Sequence, residues 1–445
     1  MDAVDTIAAI ATPPGAGGIG IVRVSGPLVP ALMSAIVGRR LEPRWASFTR
    51  FRDETGAPID EGIAVYFPAP HSYTAEDVLE LHGHGGPVVL GSLLKRCLAA
   101  GARIAQPGEF TKRAFLNGKM DLAQAEAVAD LIAAGSDQAA RSAAQSLTGE
   151  FSRRVARFQA ELTELRVLLE GSLDFPDEGI DFLVEEKVAE RLARLLDSVQ
   201  LALRAGSAGR LLQDGITVAL VGLPNSGKSS IINELCGDDV AIVTPIPGTT
   251  RDLIRETVSF EGIPIHVVDT AGIRPARDVV EEIGIARTWD VVHKAEALLL
   301  VQDASDPHAR GADLMASLPR GVPTVHVHNK IDLLGVDPRV EYIDGDPHVW
   351  ISAKLGLGMD RLHEALVSLF MDRTAIEGAF SARARHLDAL RRTLDHVHEA
   401  RGKLEQAEIA AEALRCAQRT LSEITGEFLA DDLLGEIFSR FCIGK

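Results

Sequence analysis

The stretch ITVALVGLPNSGKSSIINEL, residues 216–235, constrains this chain more than any other. Within it, Gly222 to Ser229 spells GxxxxGK[ST], preceded by a β-branched run and followed by a helical pattern. Those flanks admit one local fold: a strand, a phosphate-binding turn and a helix. Glycines let the backbone curl so that its N–H groups converge on a β-phosphate. Lys228 then neutralises the β/γ oxygens and Ser229 offers a hydroxyl to Mg2+. Asn225, Ser226, Gly227 and Ser230 complete the expected cradle.

Three further strings fall at strand ends, in the order that a nucleotide site requires. The strand IHVVD runs into Asp269-Thr270-Ala271-Gly272, placing a carboxylate for the Mg2+ shell and a flexible Gly amide near a γ-phosphate. Asn329-Lys330-Ile331-Asp332 supplies guanine selectivity, because a carboxylate accepts two hydrogen bonds that guanine can donate and adenine cannot. Ser352-Ala353-Lys354 ends another expected strand and can offer backbone N–H to the guanine carbonyl. Each string alone is weak. The ordered set predicts a Ras-like P-loop domain over residues 214–372 that binds and hydrolyses GTP.

Around that unit the texture changes. Short apolar strands alternate with helix-like stretches from Ile216 to Ser352, the pattern of a parallel sheet covered on both faces. Before it, Phe151, Val155, Phe158, Leu162, Leu165, Leu169 and Leu173 recur at helical spacing, as do Val184, Val188, Leu192, Leu195, Val199 and Leu203. LDFPDEGIDF between them reads as the turn of an antiparallel helix pair. Helices resume after about Asp372, which suggests an α/β unit inserted into one helical domain. Residues 1–118, with runs such as Gly20 to Val24 and Gly62 to Phe67 between Gly/Pro breaks, predict a separate α/β domain. The chain thus reads as multidomain α+β and α/β: residues 1–118, a helical part 119–213, the G domain 214–372, and a second helical part 373–445.

Composition excludes several classes. Net charge is −17, so any nucleic-acid contact must be local. The first basic residue is Arg23, and no apolar run approaches the ~20 residues of a membrane span, so a soluble cytoplasmic protein is expected. Cys97, Cys236, Cys416 and Cys442 form no CxxC pair, against a disulfide scaffold or zinc ribbon. His82 and His84 have no third metal ligand at suitable spacing. Gly15, Gly17 and Gly20 spell GxGxxG, but a strand-like IVRVSG follows where a dinucleotide site needs a helix.

The hydrolytic machinery is less legible. Ile273 stands where Ras-like GTPases hold the water-orienting glutamine, and Arg251, Arg255 and Arg274 are each conceivable in-cis fingers between which the sequence does not choose.

At this point the chain resembles a known family over essentially its whole length, the tRNA uridine 5-carboxymethylaminomethyl modification GTPases (MnmE or TrmE). The motifs that carry the resemblance are DTIAAIATPPGAGGIGIVRVSG, SYTAEDVLELHGHGG, GEFTKRAFLNGKMDLAQAEAV, LPNSGKSS, TPIPGTTRD and the closing FCIGK. The resemblance implies a K+-stimulated GTPase in which the ion replaces an arginine finger when two G domains meet. Its K+ ligands would be Asn225, Thr244, Ile246 and Thr249, the last three in the loop Thr244-Pro245-Ile246-Pro247-Gly248-Thr249-Thr250. Thr250 would join Ser229 on Mg2+. A glutamate orients the attacking water in this family, which implies Glu281, with adjacent Glu282 as the competing assignment.

The same resemblance implies that residues 1–118 form a folate-binding-like and dimerising domain for a 5-formyl- or 5,10-methylene-tetrahydrofolate. Arg23, Glu80 and Lys119 match the family's folate-contacting positions, and Lys445 could reach the folate. Cys442 would be either a thiol for the modification chemistry or a small buried hydrophobe. The implied assembly is a homodimer that joins an FAD/NADH-dependent partner of the MnmG/GidA family in a heterotetramer. Together they would add an aminomethyl or carboxymethylaminomethyl group to carbon 5 of the wobble uridine of certain tRNAs. A ribosome-assembly GTPase switch is the alternative. Such relatives usually carry a second G domain or a KH domain, whereas GKS occurs once here and no KH-like GxxG unit follows. Arg153, Arg154 and Arg157, or Arg383, Arg385, Arg391 and Arg392, are the candidate local basic faces for tRNA.

Overall fold

The structure is a computed structural model that describes residues 5–174, 182–235, 256–260, 263–269, 292–293, 295–306, 318–319, 321–370, 379–426, 431–439, 441 and 444. The chain divides into two compact units, Met1–Ala129 with Gln418–Lys445, and Asp130–Ala417.

The first unit is built on a sheet of β1 (Ile7–Ile10), β2 (Gly17–Ser25), β3 (Ser47–Arg52), β4 (Pro58–Phe67), β5 (Val78–Gly85) and β6 (Arg103–Ile104), in the order β3-β4-β5-β2-β1-β6. Neighbours are antiparallel except β1 and β6. Strand side chains alternate between faces, so register decides what meets what. On one face Val22, Val24, Phe51, Ala64, Leu79 and Leu81 pack in one core with residues of α1 (Val29–Val37) and α2 (Pro87–Ala99). The opposite face carries Arg23, Glu80 and His82. Ile7 and Ala9 there lie in a small cluster with Phe110 of α3 (Glu109–Leu116) and Tyr73. The C-terminal helix Asp431–Ser439 closes the unit, its Leu434, Ile437 and Phe438 packing with Phe441 and with Leu122 and Ala125 of α4 (Leu122–Ala133). A Cβ on Gly108 would stand 2.5 Å from the Phe438 carbonyl oxygen, so glycine is what lets these segments touch.

In the second unit the amphipathic periodicity appears as α6 (Glu150–Asp174) and α7 (Phe182–Asp214), preceded by α5 (Asp137–Leu147). Phe151, Val155, Phe158, Leu162 and Leu165 are buried on one helix, and Val188, Leu192, Leu195 and Val199 on the other. The chain that returns at residue 379 lands on this same helical group. Phe380 stacks on Phe151 with centroids 4.3 Å apart. Ser381 Oγ donates to Asp130 at 2.5 Å, and Arg383 pairs with Asp130 at 2.9 Å.

Between departure at Asp214 and return lies a seven-stranded sheet. Its strands are β7 (Ile216–Val221), β8 (Glu256–Phe260), β9 (Ile263–Asp269), β10 (Ala297–Asp303), β11 (Thr324–Asn329), β12 (Arg339–Ile343) and β13 (Asp346–Trp350). The order is β12-β13-β11-β10-β7-β9-β8. Five central strands are parallel, as expected, but β8 and β12 at the edges are antiparallel, which corrects the reading of a purely parallel sheet. The cause is local. Asp344 (φ 55°) and Gly345 (φ 95°) form the tight two-residue connection that only an antiparallel hairpin tolerates. The strand after β7 lies to one side of it and β10 to the other, so the topological switch point falls where the phosphate loop leaves β7. Among the described residues no helix is long and apolar enough to cross a membrane.

Gly209 of α7 fixes the return contact, since a Cβ there would lie 1.9 Å from the Phe380 carbonyl oxygen. Gly209→Ala is expected to lower the thermal midpoint by about 3–10 °C, from an overpacking cost of about 1–3 kcal/mol. An unchanged melting curve would contradict this packing.

Candidate functional site

The phosphate loop sits at the carboxyl end of β7, and α8 (Lys228–Leu235) begins at its lysine. Asn225 takes φ 62° and Gly227 φ 98°, the left-handed conformations that turn successive N–H groups to one side. Lys228 is buried, its Nζ donating to the carbonyls of Gly222 at 2.8 Å and Leu223 at 3.1 Å. The ammonium is thus held inside the loop, on the carbonyls of Gly222 and Leu223. Ser229 and Ser230 open helix α8 with exposed side chains, which suits a metal-facing hydroxyl at Ser229. Ser226 Oγ is buried and has no hydrogen-bond partner among the described residues. An orphan hydroxyl inside a ring of converging N–H groups is the mark of a cradle for a polar ligand.

Asn329, at the end of β11 and almost fully buried, joins this loop to the base-reading segments. Its Nδ2 donates to the Ser226 carbonyl at 3.0 Å, and its Oδ1 accepts the Ala353 N–H at 3.0 Å. A Cβ on Gly227 would lie 2.1 Å from that Nδ2, so only glycine lets the carboxamide reach the loop. Lys330 follows in a left-handed turn (φ 70°) and extends its Nζ to Asp303 at 2.5 Å. Burial pushes the Asp303 carboxyl up, but the bonds from Lys330 and Ser305 outweigh it and hold it below the usual range. Ile331 is buried and its N–H bonds the Ile351 carbonyl. Asp332, the residue expected to select guanine, accepts a hydrogen bond from Ser352 Oγ at 2.6 Å. That hydroxyl orients the carboxylate.

The structure therefore brings together Asn225 to Ser230, Asn329 to Asp332 and Ser352 to Lys354. Asp269 ends β9 beside Leu220 of β7, one strand from the loop. Thr244, Pro245, Ile246, Pro247, Gly248, Thr249, Thr250, Thr270, Ala271, Gly272, Glu281, Cys442 and Lys445 lie outside the described residues. Two features escaped the sequence reading. The Ser352 side chain, not only its backbone, serves the site, and the Ser352 and Ala353 N–H groups are already engaged, by the Leu357 carbonyl and Asn329. Beneath the base-reading ends of β11 and β13, Arg339 lies over Trp350 at 4.1 Å and Trp350 stacks on His328 at 4.4 Å. His328 Nε2 lies 3.0 Å from His348 Nδ1, and His348 stacks on His326 at 4.2 Å. Burial, with the neighbouring imidazoles, pushes His328 down to about 4.

A second polar cluster occupies the other face of the first sheet. Arg23 and Glu80 are register partners on β2 and β5, paired at 2.9 Å, so the structure joins two groups that the sequence reading treated as separate ligand contacts. Glu80 also accepts from His82 at 3.1 Å, and this bond, with Arg23, holds its carboxyl low. The Arg23 guanidinium lies 5.5 Å from the Tyr73 ring centroid and 5.8 Å from that of Phe110. It donates to the Gly444 carbonyl at 3.2 Å, which brings Gly444 onto this face. Lys119 is exposed after α3. His84 is separate, bonded to Asp60 at 2.8 Å. A paired guanidinium and carboxylate beside two rings suit a flat heterocycle with both donors and acceptors.

Comparison with known proteins gives a consistent result. Residues 122–442 match the family model for the MnmE helical domain and residues 6–119 that for the GTP-binding protein TrmE N-terminus. The tRNA modification GTPase MnmE of Thiobacillus denitrificans is 56% identical over 442 residues, 99% of this chain and 98% of that protein. That of Nitrosomonas europaea is 52% identical over 451 residues and the whole of both chains.

Asp332→Asn is expected to lower GTP affinity about 10–100-fold and raise that for xanthosine triphosphate. Titration with both nucleotides checks it, and an unchanged preference would remove the guanine assignment. His328 gives a pH dependence. Folded, it stays neutral down to about 4, whereas unfolded it protonates near 6.5. Between those values the unfolded chain binds more protons, so this contribution is complete above 6.5 and declines as pH falls toward 4. Thermal midpoints across this window should fall more steeply for the wild type than for His328→Gln. Parallel curves would refute the burial of a neutral imidazole.

Proposed function

The chain belongs to the family of tRNA modification GTPases MnmE, and on that premise we propose that it is a K+-stimulated GTPase working with an FAD-dependent partner. Together they add an aminomethyl or carboxymethylaminomethyl group to carbon 5 of the wobble uridine of certain tRNAs. GTP hydrolysis in tRNA modification is the family's activity and the chain's. The finer statements are our reading. The observation that carries them is the guanine site gathered around Asn329, on a chain similar to these enzymes over its full length.

In this reading Lys228 binds the β/γ oxygens and the loop N–H groups hold the phosphate in line. Asp332 selects guanine. Ser229 and Thr250 would hold Mg2+, which would supply positive charge to the phosphates. Asn225, Thr244, Ile246 and Thr249 would hold K+, which supplies fixed positive charge on the α/γ side of the triphosphate. Asn225 fits this role because its left-handed backbone leaves its side chain exposed at the loop's rim. Glu281 orients the attacking water, the task for which Ile273 has no suitable group.

Arg23, Glu80 and Lys119, with Lys445, would hold a tetrahydrofolate that provides the one-carbon unit. The salt bridge holds the guanidinium and carboxylate side by side, where together they would offer donors and an acceptor to a pterin edge. Exposed Trp45, Phe48 and Ile63 on the same unit support a homodimer, since apolar side chains of this size in one domain are commonly covered by another chain. The G domain, residues 214–372, acts as an insert between helical parts 119–213 and 373–445, in a cytoplasmic protein.

Steady-state GTP turnover with K+ exchanged for Na+ tests the catalytic part. Turnover should fall in Na+, and Glu281→Ala should abolish the K+ response while GTP affinity holds. Equal turnover in both salts, or a normal Glu281→Ala enzyme, would refute it. For the folate part, Arg23→Ala should weaken 5-formyl-tetrahydrofolate binding about 10–100-fold with GTP turnover unchanged. Undiminished binding would exclude this face.

A further inference from the structure

We infer that the cleft between α6 and α7 is a binding surface for the phosphate backbone of RNA. This rests on the reading that the chain acts on tRNA. The cleft has a volume of about 650 Å³ and lies along the first half of α6 and the middle of α7. Arg154 and Arg157 reach it from α6, and Arg191 and Arg194 from α7. Each pair is three residues apart, so both members share one face of their helix. The helices run back along one another, because Arg191 bonds Glu161 at 2.7 Å and Glu164 at 2.6 Å. The four guanidinium groups therefore line opposite walls of one groove.

Charge gives the cleft its direction. Its lining holds four arginines and two glutamates, Glu150 and Glu161, while Glu164 and Glu190 beside it pair with Arg191 and Arg194. Among the described residues the counter-charges thus gather on one part of the groove and leave Arg157 without one, in a chain whose net charge is −17. A polyanion is repelled by a chain of this net charge, so exposed guanidiniums whose counter-charges are distant or missing decide where it lands. The arginines also divide by role. Arg191 is fixed between two carboxylates, and Arg154 lies against Glu150 at 3.3 Å and over the Phe380 ring at 5.2 Å. Arg157 is exposed and has no carboxylate within ion-pairing distance among the described residues. Arg194 is 68% exposed and meets Glu190 only at 3.8 Å. Two anchored guanidiniums thus shape the groove and two extended ones remain for phosphate oxygens, which they can grip bidentately. Phe158 and Leu195 form the buried floor, and Leu201, 66% exposed, offers an apolar edge to a ribose or base.

The test is equilibrium binding of unmodified tRNA to the full-length protein across a salt series. It compares wild type, Arg157→Glu/Arg194→Glu, and Arg166→Gln, whose residue pairs with Glu170 outside the cleft. The double variant should bind about tenfold or more weakly, and its slope of log affinity against log salt should drop by about 1.5–2, as for two lost phosphate contacts. Arg166→Gln should bind as wild type, and GTP turnover and thermal midpoint should be the same in all three. Wild-type affinity and slope in the double variant would overturn the proposal. So would intact RNA binding with loss of the protein partner, which would make the cleft a protein interface. If wild type itself binds no tRNA, alone or with its partner, the tRNA reading fails and the cleft proposal falls with it.

Discussion

One side-chain carboxamide, that of Asn329, carries the organisation of the nucleotide site. Its two ends are used at once, the nitrogen on the Ser226 carbonyl of the phosphate loop and the oxygen on the Ala353 N–H of the base-reading loop. Such a bond is worth about 1 kcal/mol in net stability, but leaving either buried partner unsatisfied costs more. Its larger effect is geometric. The phosphate loop and the loop expected to read guanine are far apart in sequence, and Asn329 holds their spacing. Gly227 is the counterpart, since any side chain there would stand where the carboxamide must lie.

The sheet beneath explains why this can be rigid. Parallel strands β7, β10, β11 and β13 end on one edge, and their buried Val, Leu and Ile side chains form one core with α8 and with α9 (Met359–Ser368). The turn after β11 and the loop after β13 are further tied by the Ile331–Ile351 backbone bond and by Ser352 on Asp332. Stacked Trp350, His328 and His348 brace the same two strands one layer below. In the other unit a comparable logic holds a second polar site. Strand register sets Arg23 against Glu80, and the aromatic rings and Gly444 close around them.

What could be read from sequence follows from how local the chemistry is. Phosphate binding needs consecutive residues, so GLPNSGKS announced its strand, turn and helix, and the structure has all three. Asp332 stood out because a guanine reader needs a carboxylate after an Asn-Lys turn, and the structure sets that carboxylate against Ser352. Ser352 as the orienting hydroxyl was not, because that contact joins residues twenty apart whose meeting depends on β11 and β13 pairing. The antiparallel edge strand β12 carried a signal, the Asp344-Gly345 turn, but its Glu341, Tyr342 and Ile343 are exposed and give no core pattern. The Arg23–Glu80 bridge was hidden for the same reason as Ser352. Both residues stood out by resemblance to a family, and only the register across β2 and β5 shows that they neutralise one another.

The central claim is that this guanine site drives modification of tRNA, and the modified nucleosides themselves report on it most directly. Total tRNA from cells lacking the gene, complemented with wild type or with Lys228→Ala, can be digested and analysed by mass spectrometry for 5-substituted uridines. The account predicts their loss in the deletion, recovery with wild type and no recovery with Lys228→Ala. Intact wobble modification in the deletion strain, or full recovery with Lys228→Ala, would contradict it.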